Sequence, residues 1–248
     1  MTKKRILLAG DSWGVGEWLP PHIAGNREPG HPHGGLGQYM KEDGHHVWNI
    51  SQPAISNLAI TERIANWMVN FHDLKVDFIV MFATEYTRDM DYEFPIEFNK
   101  IQHATELSGI CLSRSYYRLR DISQKYNVPI YLIGGCVDTV WLDNWQDVYT
   151  GVHVICQSMV HLVINDNPRT DHPVYSWYGV KTEKTVMKLK SILVPNEVEV
   201  LIDLMDQGFR RQSLIFEHPK WFWPDGVHPN RLAHRKLYDF LQQQKLFD

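Results

Sequence analysis

The sequence predicts an α/β fold, with a parallel sheet and helices on both sides of it. Three observations carry this. Short β-rich runs alternate with longer stretches at helical spacing. The run Asp77 to Ala83 is almost wholly apolar, as a central parallel strand should be. Apolar runs stop at glycine, as Arg5 to Ala9 does at Gly10 and Val128 to Ile133 does at Gly134-Gly135.

Taken in order, Arg5 to Ala9 is the first buried strand and His46 to Ile50 the second. Ser56 can cap a helix whose apolar face is Ile60, Ile64, Trp67, Met68 and Phe71. Asp77 to Ala83 is the third strand. A helical stretch from roughly Phe98 to Tyr126 precedes Pro129, and Val128 to Ile133 is the fourth strand. Gln157 to Ile164 is expected as a fifth strand. The stretch 137–193 is rich in Trp, Tyr, Asn and Asp with mixed periodicity, and is expected to hold an insertion that covers the site or makes an interface. Asn196 can cap a helix carrying Val198, Leu201, Ile202, Met205 and Phe209. A last helix follows Pro229, with Ala233, Leu237, Phe240 and Leu241 facing inward. No repeat or linker divides the chain, so 1–248 is read as a single domain.

The 248 residues are enough for one large domain with a buried core. Hydrophobic residues at 44 % and charged residues at 22 % are ordinary for a soluble globular protein. The net charge of -4, with no basic stripe, argues against a nucleic-acid partner. No apolar stretch approaches the ~18 residues of a membrane span. The run Ile6 to Ala9 is too short for a secretory signal, so a cytoplasmic location is expected. Cys111, Cys136 and Cys156 have neither disulfide nor zinc spacing. His22, His31, His33, His45 and His46 lack metal-ligand spacing and are expected on loops and the surface. No metal or cofactor is expected.

Two segments carry chemistry. Gly10-Asp11-Ser12 follows the first strand directly. Reacting groups gather beyond the carboxyl ends of parallel strands, and a hydroxyl there lies beside turn N–H groups. Ser12 is therefore a nucleophile or a helix cap. Gly10-Asp11-Ser12-Trp13-Gly14 also fits G-x-S-x-G, but only one strand precedes it, unlike the elbow of α/β-hydrolases. The glycines at 10, 14 and 16 do not make a dinucleotide or phosphate loop. The second segment is Trp223-Pro224-Asp225-Gly226-Val227-His228-Pro229-Asn230. His228 is a base with Asp225 fixing its tautomer, or Asp225 makes an Asx-turn and His228 caps the last helix.

Together, strand-Gly-Asp-Ser at one end and Asp-x-x-His-Pro at the other resemble the SGNH/GDSL hydrolase family, over nearly the whole chain. The resemblance implies a three-layer α/β/α fold with about five parallel strands, flavodoxin-like in outline. It also implies ester or thioester hydrolysis through an acyl-serine, with Ser12, Asp225 and His228 as triad and no cofactor. The family's oxyanion hole adds a Gly after the second strand and an Asn after the third. Here Ala54 stands near the Gly position, where a backbone N–H serves equally well. Ala83 and Glu85 fall where Gly and Asn are expected. An ionised Glu85 accepts hydrogen bonds only and would oppose an oxyanion. Thr84 or Asn57 could supply the donor instead. The Ser56-Asn57 pair and Thr84-Glu-Tyr-Thr-Arg88 resemble a divergent, phage-associated branch of the family.

Two functions follow. The first is an esterase acting on a small-molecule or carbohydrate ester. Trp13, Trp18, Trp221 and Trp223 near the two motifs can stack on sugar rings, although core packing is expected for at least half of the tryptophans, and no long aliphatic stretch forms an acyl groove. Arg88 can bind an anionic substrate group or pair with Asp89 or Asp91. The second is a non-catalytic binding or structural module, favoured by Ala54 and Glu85. The sequence leaves the oligomeric state open.

Overall fold

The computed structural model describes residues 2–19, 30–84, 104–135, 148–165, 218, 220–222 and 228–248. In chain order its first elements are β1 (Arg5–Ala9), α1 (Ser12–Val15), β2 (Glu17–Leu19), β3 (Gly30–His33), α2 (Gly35–Glu42) and β4 (His46–Asn49). Then come α3 (Asn57–Asn70), β5 (Phe78–Ala83), α4 (Ala104–Tyr126), β6 (Ile130–Gly134), β7 (Val152–Cys156), α5 (Met159–Asn165) and α6 (Arg231–Gln243).

Period-two alternation in the apolar runs sets the architecture. In β1, Ile6 and Leu8 join one apolar cluster while Leu7 and Ala9 join another. In β5, Phe78, Val80 and Phe82 face the first cluster, and Ile79 and Met81 the second. Strands buried on both faces need cover on both. Leu36 and Met40 of α2, Val160 and Val163 of α5, and Ala233, Leu237 and Leu241 of α6 cover one face. Ile60, Ile64 and Met68 of α3, with Tyr116, Leu119 and Ile122 of α4, cover the other. The result is a three-layer α/β/α sandwich.

The central sheet has five strands in the order β4-β1-β5-β6-β7, all parallel. In sequence rank this is 2-1-3-4-5, so the winding direction reverses beside β1. In such sheets the crevice beyond the strand ends at that reversal is where ligands bind. A second, two-stranded antiparallel sheet pairs β2 with β3. No described helix is long and apolar enough to cross a membrane.

The structure corrects several expectations. Gln157 to Ile164 is not a strand: the fifth strand is β7, just before it, and Met159–Asn165 is helical. Met159, Val160, Leu162 and Val163 are all buried, at the i, i+1, i+3, i+4 spacing of one helical face. Phe71 is not on the buried face of α3 but caps its end and is 48 % exposed. His33 and His45, expected on the surface, are buried. Residues 148–165, within the expected insertion, supply β7 and α5. The rest of 137–193, the start of the Phe98–Tyr126 helix and the helix after Asn196 lie outside the described residues.

Candidate active site

β1 delivers its chain end to the crevice through Gly10. A Cβ there would lie 2.7 Å from Phe82 Cβ on the neighbouring strand, and the φ of 158° suits glycine. Asp11 follows as the cap of α1. Its Oδ1 accepts the Trp13 N–H at 2.9 Å, and its Oδ2 accepts the Thr84 hydroxyl at 2.8 Å. Ser12 is therefore not the cap but the first residue of α1. At that position its N–H has no intrahelical acceptor. Trp13, 1 % exposed, anchors α1 in the core against Phe222. The Asn49 amide donates to Gly14 O at 2.9 Å and ties α1 to the end of β4.

His228 arrives from the other end of the chain. Its Nε2 lies 3.0 Å from Ser12 Oγ, across 216 residues of sequence. The cap of α6 is Asn230 rather than His228. Asn230 Oδ1 accepts from Leu232 N–H at 2.9 Å and Ala233 N–H at 3.2 Å. The same residue fastens the segment to residues 220–222. Its N–H donates to Trp221 O at 2.9 Å, its amide donates to Lys220 O at 2.8 Å, and Pro229 bridges Phe222. Trp221 carries Lys220 Nζ and Lys236 Nζ over its ring, 4.6 and 4.9 Å from the centroid.

The other site candidates fall into three groups. Asn57 and Thr84 are buried and joined: the Asn57 amide donates to Thr84 O and accepts from Thr84 N–H, both at 2.9 Å. Ala54 lies in the turn between β4 and α3 with a left-handed φ of 60°. That turn is held by Gln52 N–H on Gly10 O at 2.9 Å and by Arg63 Nε on Ile50 O at 3.1 Å. Asp225, Glu85 and Arg88 lie outside the described residues, as do the side chains of Trp18 and Trp223.

Sequence reasoning missed the pair Glu17 and Arg231. Glu17 opens β2, separated from the end of α1 by Gly16 alone, and its side chain is 4 % exposed. It accepts Arg231 Nε at 2.9 Å, Arg231 Nη2 at 2.8 Å and the Arg231 backbone N–H at 3.4 Å. The hydrogen bond that Arg231 donates to the Glu17 carboxylate, with that carboxylate's charge, raises the Arg231 pKa. Two opposite charges 214 residues apart leave no periodic signal in a sequence.

A serine hydroxyl within hydrogen-bond reach of an imidazole nitrogen, at a helix start in the crevice of a parallel sheet, can lose its proton to that nitrogen. No family model matches the sequence, and no curated protein matches it. Three solved structures are similar. One is a mutant of Axe2, an acetyl-xylooligosaccharide esterase from a Geobacillus: 14 % identity, 100 % of this chain and 97 % of that one, TM-score 0.43. A second is TesA: 12 % identity, 97 % of each chain, TM-score 0.41. The third is the psychrotrophic esterase EstA from Pseudoalteromonas sp., inhibited by monoethylphosphonate: 11 % identity, 98 % and 100 %, TM-score 0.42. In its two end motifs and its five-stranded parallel sheet, the chain resembles the SGNH/GDSL hydrolases.

Proposed function

We propose that the protein is a serine hydrolase that cleaves carboxylic esters through an acyl-Ser12 intermediate, with His228 as general base and Asp225 orienting it. The observation that carries this reading is the 3.0 Å approach of His228 Nε2 to Ser12 Oγ. For Nε2 to accept, the imidazole proton must sit on Nδ1, the nitrogen a carboxylate partner would hold.

The hydroxyl proton passes to Nε2 as Oγ attacks the acyl carbon. The tetrahedral intermediate collapses, and His228 returns the proton to the leaving alkoxide oxygen. Water then attacks the acyl-serine, giving its proton to Nε2, and Ser12 recovers its own as the acid leaves. In this reading the N–H groups of Ser12 and Ala54 face the acyl oxygen, and the second amide hydrogen of Asn57, or a protonated Glu85, completes that hole, since the N–H and hydroxyl proton of Thr84 are already given to Asn57 and Asp11. The substrate is a short acyl ester; Trp13 is buried in the core, so the fit to an acetylated carbohydrate rests on Trp18, Trp221 and Trp223 beside the two motifs.

A fluorophosphonate probe tests the reading, with p-nitrophenyl acetate as a turnover substrate. The wild type should be labelled and turn over ester, and Ser12→Ala and His228→Ala should lose both. A wild type that resists the probe while correctly folded would instead make the chain a non-catalytic module. Labelling that survives Ser12→Ala would move the nucleophile elsewhere.

A further inference from the structure

The serine and the histidine come from opposite ends of the chain, so something must hold those ends in register. The backbone hydrogen bonds of the central sheet do not: the His228 segment belongs to no strand of it. Asn230 ties that segment to residues 220–222, which are not attached to the Ser12 segment by any hydrogen bond among the described residues. Among the described residues, an ion pair with a buried carboxylate runs directly between the two, in addition to the Ser12–His228 contact itself. Glu17 stands five residues after Ser12, and Arg231 three residues after His228.

We propose that Glu17 and Arg231 are positioning residues that set the Ser12–His228 distance, an inference resting on the serine-hydrolase reading above. The geometry suits the task. The Arg231 side chain and its backbone N–H both engage one carboxylate, which restrains the helix start as well as the side chain. Gly16, between α1 and Glu17, has φ 129°, and a Cβ there would meet His33 O and Gly34 C at 2.6 Å. The short path from Ser12 to Glu17 is thus packed against the turn that opens α2. The Tyr39 hydroxyl of α2 donates to Arg231 O at 3.1 Å, closing the clamp from a third side. A lysine at 231 would keep the charge and lose the two-nitrogen grip on one carboxylate.

The experiment compares wild type with Arg231→Gln, Arg231→Lys, Glu17→Gln and the double variant Glu17→Gln/Arg231→Gln. Arg120→Gln, which breaks an ion pair with Asp121 on α4, on the other face of the sheet, is the control. The second-order rate of fluorophosphonate labelling should fall by about 10- to 10²-fold in Arg231→Gln, as for a slight misplacement of reacting groups. KM for p-nitrophenyl acetate should change little while kcat falls. Arg231→Lys should recover part of the loss, and the double variant should be hardly slower than either single one. Arg120→Gln should match the wild type. A crystal structure of Arg231→Gln or Arg231→Lys should show His228 Nε2 drawn away from Ser12 Oγ. If these variants only melt earlier, with labelling rate and His228–Ser12 distance unchanged, the pair is structural and the proposal falls. If the wild type never labels, the hydrolase reading falls, and the distance in the variants still decides whether the clamp sets the geometry.

Discussion

On the serine-hydrolase reading, Glu85 bears on the rate through the place its neighbour Thr84 holds. Thr84 is bonded through its N–H and C=O to Asn57 and through its hydroxyl to Asp11, one residue before Ser12. Glu85 itself lies outside the described residues. If it takes the family's asparagine position, an acceptor stands where a donor is needed, and a lost oxyanion donor typically costs about 10²–10³ in turnover. Hydrolysis of p-nitrophenyl acetate should therefore be weak, and Glu85→Asn should raise kcat by about tenfold or more. No gain in Glu85→Asn would show that the carboxylate is turned away or protonated. At this scale the sequence was readable where chemistry needs a fixed motif: Ser12 and His228 stand within 3.0 Å of each other. It was silent on what a polar side chain bonds to. Asn57 and Thr84 stood out by position as oxyanion donors, yet their described hydrogen bonds run to each other and to Asp11, across 27 and 73 residues.

Those same bonds knot three elements. Asp11 closes β1, Thr84 closes β5, and Asn57 opens α3, so the knot fixes two adjacent strand ends and the helix that packs beneath them. Thr84→Val removes one donor from a buried carboxylate and should cost about 1–3 kcal/mol. Asn57→Ala strips partners from both the N–H and the C=O of a buried residue, so it should cost more, at about 1–3 kcal/mol for each group. Urea unfolding at unchanged m value measures both. If both variants stay within about 0.5 kcal/mol of wild type, the range of ordinary surface changes, the knot contributes nothing. An Asn57→Ala protein that folds and still labels at the wild-type rate would remove Asn57 from the oxyanion hole. Elements of this kind were legible when long or buried on both faces, as β5 and α3 were. Among the short ones, the four-residue β4 was read but the small second sheet was not. β2 and β3 have three and four residues, and β3 contains Pro32 and two histidines, so no alternation can develop. The confusion of α5 with a strand has the same cause, since over seven residues an apolar run fits either period.

At the scale of the whole molecule, the two apolar faces of the sheet were readable, but the polar groups sealed beneath the helices were not. Among the described residues, three of these are imidazoles. His234 of α6 is fully buried, edge-on to Phe82 of β5 with centroids 6.3 Å apart. Burial pushes its pKa down to about 3, against a partial offset from the Gly16 backbone. Burial also lowers His33, with Arg231 adding to it, and His45, which accepts the Lys4 N–H and stacks on Phe247 near the chain's end. Asp77 adds to the same trend: burial pushes it up, but the Arg5 backbone and guanidinium hydrogen bonds outweigh that and hold it down. For a histidine lowered in the fold, the unfolded chain binds a proton below pH 6.5 and the native state does not until pH falls to about 3. Stability from His234 is thus complete above 6.5 and drains away as pH falls towards 3, by up to about 1.4 kcal/mol per pH unit. The melting temperature should therefore drop steadily between pH 7 and about pH 4, the stretch in which an ordinary imidazole gains its proton. His234→Phe keeps the ring and removes the titration, so its acid limb should be shallower than the wild type's, with the remaining slope left to His33, His45 and the carboxylates. Parallel curves for wild type and His234→Phe over that range would mean that the buried ring takes its proton without opening the fold.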